Sequence, residues 1–261
     1  MQSLAAGTTT YNTSSPTSTD VANWTTGWGT TNDASHITGW NYVGQVNGAG
    51  GVYLGNGWVL TAAHVGGGDF TLAGTTYSMI ANSTQSVTNS SGTADFVLFK
   101  ISTTLTLPAL TISSTAPSTG TFTKSADTVV MIGYGGGAGE TWGANSVSGK
   151  NQSVTPQGYS YVSTDFYTTH GTYIGTYGRS YTNNAEVVGE DSGGGDFIYN
   201  SSTSSWELAG INEAVDSSGG SYMIQLSTYS SQINTIITTV PEPATTSLFG
   251  LGLLLGLRRR R

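Results

Sequence analysis

Three short motifs carry residues able to do nucleophilic chemistry, in the order His, Asp, Ser. Thr61-Ala62-Ala63-His64 follows an apolar run ending at Leu60, Ala94-Asp95 opens the run Phe96-Val97-Leu98-Phe99-Lys100-Ile101, and Gly189-Glu190-Asp191-Ser192-Gly193-Gly194 precedes Phe197. A serine hydroxyl is a poor nucleophile until an imidazole removes its proton, and that imidazole must be held in one tautomer by a buried carboxylate. Glycines beside the serine let the backbone turn tightly, so that main-chain N–H groups can face an oxyanion. Each residue also has an ordinary reading: a lone histidine is by default structural, Asp95 could cap a turn, and Asp-Ser-Gly-Gly could be a loop. Asp69 is the rival acid, but it follows His64 closely and opens an alternating hairpin, so Asp95 is preferred. His36 and His170 fit no motif.

In this order the three motifs resemble those of the trypsin-like, chymotrypsin-fold serine peptidases, and the resemblance runs from about Trp40 to Thr238. It implies an all-β fold of two packed six-stranded antiparallel β-barrels with a C-terminal helix. It makes His64 the general base and later the acid, Asp95 the carboxylate that orients it, and Ser192 the nucleophile. The oxyanion hole would be formed by the backbone N–H groups of Ser192 and of the residue two before it. Relatives have glycine there; this chain has Glu190, whose side chain restricts the backbone and whose charge opposes the oxyanion. Glu186 falls at the base of the primary specificity pocket, where a carboxylate favours Lys or Arg before the cut bond; a surface loop acid is the other reading. Trp206-Glu207-Leu208-Ala209-Gly210-Ile211 resembles the strand that flanks substrate, which places Ile211 and Glu213 at the pocket wall. Asn212-Glu213-Ala214-Val215 differs there from the usual Ser-Trp-Gly. Relatives activated from zymogens pair a new Ile-Val-Gly-Gly amine with the Asp before the nucleophile, here Asp191. Ile37-Thr38-Gly39-Trp40 is a poor match to that sequence, which leaves constitutive folding as the alternative.

The elements that must position these residues are strands. Gly51-Val52-Tyr53-Leu54 and Trp58-Val59-Leu60-Thr61 flank Gly55-Asn56-Gly57, a strong hairpin signal. Phe70-Thr71-Leu72 and Tyr77-Ser78-Met79 alternate across a turn at 73–75, and the run from Phe96 reads as a strand buried on both faces. A second set follows at Val129-Val130-Met131-Ile132, Phe197-Ile198-Tyr199, Trp206 to Ala209 and Tyr222 to Leu226. Tyr229, Ile233, Ile236 and Ile237 recur at helical spacing, with Ser227 or Thr228 placed to cap the start. The expected organisation is a lead-in at 1–35, a peptidase unit at 36–239 and a tail at 240–261. Within the unit, barrel one covers about 40–112 and barrel two about 126–239, joined by a link at 113–125.

Of the 261 residues 36% are hydrophobic, 10% aromatic and only 9% charged, against about 25% charged in a typical globular domain. Four of the eight basic residues are the terminal Arg258 to Arg261, so the body through Val240 has four basic residues against fourteen acidic ones. The basic face that nucleic-acid binding requires is missing. Zero cysteine removes disulfides, thiolate zinc sites and thiol catalysis together, and no metal-ligand cluster, calcium loop or phosphate loop is evident, so neither metal nor other cofactor is implied.

Val240-Pro241-Glu242-Pro243, the apolar stretch 244–257 and the four arginines closely resemble the PEP-CTERM tail, which in Gram-negative bacteria is read by a membrane peptidase called exosortase. The resemblance implies export to the cell envelope or beyond, transient inner-membrane attachment through 244–257, and removal of the tail to leave a monomer. Ser3-Leu4-Ala5-Ala6 reads as the end of a truncated signal peptide, and residues 7–35 as an extended lead-in. The function expected is an exported serine endopeptidase that cleaves polypeptides through an acyl-enzyme. The alternative is a catalytically silent barrel used as a surface or matrix binding module. Glu190 and the Ser/Thr-rich acidic surface motivate it, and the complete His-Asp-Ser set argues against it.

Overall fold

Glycine, serine, threonine and asparagine cut the chain into runs too short for most helices, and β-branched and aromatic residues fill those runs. The computed structural model describes residues 8–9, 39–120, 126–135, 139–169, 185–203 and 205–238. Most of the lead-in at 1–35, together with His36, His170 and the tail at 240–261, lies outside the described residues. Among the described residues, no helix is long and apolar enough to cross a membrane. The first strand, β1 (Thr8–Thr9), pairs antiparallel with β12 (Glu186–Val187).

The first half is an antiparallel sheet of β2 (Val43–Val46), β3 (Ala49–Gly55), β4 (Trp58–Ala62), β5 (Phe70–Leu72), β6 (Thr75–Tyr77), β7 (Gln85–Asn89) and β8 (Gly92–Lys100). The order across the sheet is β6-β5-β2-β3-β4-β8-β7. Six strands in a barrel were expected; the sheet has seven because β7 adds outside β8. Beyond β6 the chain turns back toward β8, where Met79 bridges Ile101 and the Ile80 N–H donates to the Lys100 carbonyl at 2.7 Å. The β3–β4 turn has Gly55, Asn56 and Gly57 all at positive φ, the backbone that its sequence favours. In β8 the residues Ala94 to Phe99 are all buried, as its continuous apolar run requires.

The second half closes into a barrel of β9 (Thr128–Gly133), β10 (Thr141–Val154), β11 (Ser163–Thr169), β13 (Gly195–Asn200), β14 (Ser205–Val215) and β15 (Gly220–Gln225), in the order β10-β11-β15-β14-β13-β9. Its own core holds Val129, Met131, Val147, Phe166 and Met223. The larger core spans both halves, joining Tyr53, Leu60, Phe96 and Phe99 to Trp142, Phe197, Leu208 and Tyr229. Helix α1 (Ser230–Thr238) closes the domain with Ile233 buried, and Ile236 and Ile237 packed against the larger core. The expected cap is replaced. Residues Leu226–Thr228 form a 3-10 turn that moves the helix start to Ser230, and Thr228 Oγ1 accepts from Gln225 Nε2 instead of a helix N–H.

The interior carries an unusual acid load: Asp95, Asp165, Asp191, Asp196 and Glu213 are all fully buried. Neither described lysine answers them. Lys100 lies 5.0 Å from the Trp58 ring centroid, and Lys150 donates to the Pro117 carbonyl. Burial pushes the Asp165 carboxyl up to about 7 and holds Asp191, Asp196 and Glu213 well above the ordinary carboxylate range. Glu140 rises to about 8 for the same reason.

An acid whose pKa is higher folded than unfolded binds more protons when folded. Its stabilising effect is therefore fully present below the ordinary carboxylate range and is lost as pH rises through the folded values. Calorimetry should find Tm highest near pH 4 to 5 and several degrees lower by about pH 8, the reverse of ordinary acid denaturation. A Tm that climbs across that interval would contradict protonated burial of these groups.

Candidate active site

The pairing of β4 with β8 sets Ala62 opposite Phe96, which brings the turn after β4 beside Asp95. The Ala63 N–H donates to the Asp95 carbonyl at 2.9 Å, and the His64 N–H donates to Asp95 Oδ1 at 2.9 Å. The imidazole is thus fixed from its own backbone. Its Nδ1 lies 2.6 Å from Asp95 Oδ2, and its Nε2 lies 2.7 Å from Ser192 Oγ. With Asp95 ionised, Nδ1 carries the proton and Nε2 presents a lone pair to the serine hydroxyl. Asp95 is fully buried and the His64 side chain is 14% exposed, so the pair sits at the floor of an open site. Asp69 is not part of it; its Oδ1 accepts the Met79 N–H at 3.0 Å.

Ser192 comes from the second half and is tied to the first. Its carbonyl accepts the Gly50 N–H at 2.8 Å, and the Gly50 carbonyl accepts Thr61 Oγ1–H at 2.7 Å. This close approach explains the glycines. Gly193 lies at φ +79°, and a Cβ there would strike the Gly50 carbonyl and the Thr61 hydroxyl. Asp191 is buried beneath the loop and accepts the Gly135 N–H at 2.5 Å. Glu190 also lies at φ +79°, in the left-handed region that β-carbons disfavour, with its side chain exposed to solvent. Among the described residues, neither the Glu190 N–H nor the Ser192 N–H has an acceptor.

A cavity of about 330 Å³ opens beside this loop, lined by Glu186 to Gly189 and by Val215, Asp216, Ser217, Gly219 and Gly220. It carries two carboxyls. Glu186 is one of them; Asp216, whose oxygens accept from the Ser218 and Gly220 N–H groups and from the Tyr222 hydroxyl, is the other. Asp216 belongs to no motif in the sequence and was not expected at this cavity. Ile211 and Glu213, expected at the pocket wall, are fully buried and do not line the cavity. Glu213 lies where β14 and β15 shift register between Asn212 and Ala214, and it turns inward to Ser163. Tyr159, 47% exposed, stands with its ring centroid 5.2 Å from that of His64; no sequence pattern pointed to it.

Two packed antiparallel β-structures with a His, Asp and Ser series at their junction define a chymotrypsin-type serine peptidase. Residues 48–211 match the family model of the trypsin-like peptidase domain, and the chain belongs to that family. Residues 239–261 match the PEP-CTERM protein-sorting motif. Among solved structures, the inactive form of the Rv3671c protease from M. tuberculosis is similar with a TM-score of 0.51 at 16% identity, over 76% of this chain and 90% of that one. The HtrA-type protease AlgW with a decapeptide gives a TM-score of 0.50 at 23% identity, over 73% of this chain and 52% of that one. No curated protein matches the sequence.

The backbone at Glu190 generates a direct test. A non-glycine residue in the left-handed region costs on the order of 1 kcal/mol or more. Glu190→Gly should therefore stabilise the fold by about 1 kcal/mol, read as a higher urea midpoint at unchanged slope. A lower midpoint would mean that the Glu190 side chain is held by interactions that outweigh the strain.

Proposed function

We propose that this chain is an exported serine endopeptidase that cuts after lysine or arginine, with His64, Asp95 and Ser192 as its catalytic triad. The observation that carries the reading is the continuous series Asp95 Oδ2, His64 Nδ1, His64 Nε2, Ser192 Oγ, with steps of 2.6 and 2.7 Å. Ser192 Oγ attacks the scissile carbonyl as its proton passes to His64 Nε2. Asp95 stabilises the imidazolium, which then protonates the leaving amine. Water hydrolyses the acyl-enzyme by the same base in a second round. The N–H groups of Glu190 and Ser192 receive the oxyanion, and the Glu190 carboxylate points to solvent rather than at that charge.

Glu186 and Asp216 favour a cationic side chain in the cavity between them. The peptidase unit covers 36–239, with halves at about 40–112 and 126–239. The PEP-CTERM motif supports export from a Gram-negative cell, with residues 244–257 holding the precursor at the inner membrane until an exosortase removes the tail, leaving a monomer.

A fluorophosphonate should label the wild-type protein and fail to label Ser192→Ala, and His64→Ala should abolish peptide hydrolysis with the fold intact. Asp95→Asn should lower turnover by about 10⁴, the cost known for the equivalent change in a chymotrypsin-type triad. Equal labelling of wild type and Ser192→Ala would overturn the assignment. Glu186→Gln should lower kcat/KM for Lys and Arg substrates by roughly tenfold while leaving substrates with a neutral residue before the cut unchanged.

A further inference from the structure

A second hydrogen-bond series runs from Asp95 into the barrel. The Asp95 N–H donates to Ser163 Oγ at 2.9 Å, and the Ser163 hydroxyl donates to Glu213 Oε1 at 2.6 Å. Glu213 and Asp165 act on each other electrostatically, and Glu213 Oε2 and both Asp165 oxygens are buried with no donor beside them among the described residues. Ser163 is 1% exposed, and the three acids are wholly buried. The groups come from separate strands: Asp95 from β8, Ser163 and Asp165 from the same face of β11, and Glu213 from the irregular step in β14.

The proton count follows from the donors available. With both acids ionised, Glu213 Oε2 and both Asp165 oxygens would lack a donor among the described residues. One proton on Glu213 Oε2 changes this. Oε1 then accepts from Ser163 as a carbonyl oxygen, and Oε2–H donates to Asp165. The negative charge rests on Asp165, leaving the acid nearest Ser163 and Asp95 neutral. Asp95 from β8, Asp196 from β13 and Tyr222 from β15 act on this pair, and Asp191 acts in turn on Asp196. None of them is a cation, so none favours a second ionisation. Burial is the largest influence on Glu213, followed by the charge of Asp165, and both push its pKa upward.

We propose that Glu213 is a positioning residue for the triad, acting as a neutral carboxylic acid that holds Asp95 through Ser163 while donating its proton to Asp165. The inference rests on His64, Asp95 and Ser192 being that triad. A protonated glutamic acid at this place has the shape and hydrogen-bond pattern of glutamine, with one acceptor for Ser163 and one donor for Asp165. The active site thus takes structural support from an acid on condition that the acid keeps its proton.

The test compares the wild-type protein with Glu213→Gln, Glu213→Ala and Ser163→Ala. The first readout needs no catalysis. Because the folded pKa of Glu213 is raised, its stabilising effect is lost as pH rises above the ordinary glutamate value of about 4.5, whereas glutamine has no proton to lose. Glu213→Gln should match the wild-type Tm near pH 4 to 5 and exceed it by several degrees near pH 8. A Tm difference that stays constant across this range would overturn the shared proton.

The second readout is turnover near pH 6. Glu213→Ala and Ser163→Ala should each lower kcat by about tenfold or more with little change in KM, because Asp95 loses its support, and glutamine at position 213 should restore kcat to within about threefold of wild type. Toward alkaline pH the wild type should lose turnover that Glu213→Gln retains. If Glu213→Gln falls as far as Glu213→Ala, or if Ser163→Ala loses nothing, the positioning role is wrong. Should Glu213→Ala fail to fold, Ser163→Ala severs the same series without removing an acid. Absence of fluorophosphonate labelling in the wild type would instead defeat the triad, and the Tm comparison would still decide the proton.

Discussion

The hydrogen bond from the Gly50 N–H to the Ser192 carbonyl, 2.8 Å long, is the junction on which the site depends. It is made between backbones of the two halves, and it forms only because the chain has no β-carbon at Gly50, Gly193 or Gly194. A Cβ on Gly50 would strike the Gly194 backbone, and one on Gly194 would strike the Ile132 carbonyl. Side chains cannot substitute for this approach, since a methyl group at Gly50 or Gly193 would hold the halves apart and one at Gly194 would displace the loop within its own half. The distance from His64 Nε2 to Ser192 Oγ is therefore set by backbone packing as much as by the two side chains. This gives the glycines after the serine a second task beyond flexibility: they are the contact surface itself.

Behind that junction the barrel is organised around carboxyl groups that have no described lysine or arginine beside them. Burying an ion without a partner is costly, and the usual escape is to remain neutral. Asp191, Asp196 and Glu213 follow that course, each held toward its protonated form by burial, while Asp165, raised by burial as well, faces the proton of Glu213. Asp95 differs because His64 faces it, with donors from both the ring and the backbone. Two kinds of acid thus lie close together: one faced by an imidazole, the others pushed toward their protonated form by burial with no cation beside them among the described residues. The same physical rule separates them, and the presence of an imidazole decides which outcome holds.

The parts of this arrangement that were legible in the sequence are those set by local backbone rules. Gly55-Asn56-Gly57 marked its hairpin through residues that tolerate positive φ, and the uninterrupted apolar run of β8 marked a doubly covered strand. The His, Asp and Ser motifs were readable because their glycines and alanines are demanded by close packing. Glu213 was not readable in the same way. Alternation along a strand predicts which face a side chain occupies, but β14 changes register at that residue, so its inward direction depends on a bulge that leaves no mark in composition. Ser163 and Asp165 are ordinary polar residues until the barrel closes around them. Asp216 belongs to no sequence motif, and it reaches the cavity only through the turn in which it accepts the Ser218 and Gly220 N–H groups. The seventh strand of the first sheet, β7, is mostly exposed and carries little apolar pattern to announce it.

The two described lysines acquire a further meaning once a preference for cationic residues is considered. Lys100 ends β8 opposite Trp58 and Lys150 lies in β10 at its bulge against β11, so each sits in a sheet rather than in an open loop. A peptidase binds the stretch it cuts in an extended form, free to enter a cleft, which a strand held in a sheet cannot do without local unfolding. The body of the chain contains only two other basic residues, Lys124 and Arg179. An enzyme with the proposed specificity would thus find few cleavable residues in the body of its own chain. For an enzyme of the proposed specificity, scarcity of charge, which in the sequence distinguishes the protein from nucleic-acid binders, would also limit cutting by its own copies.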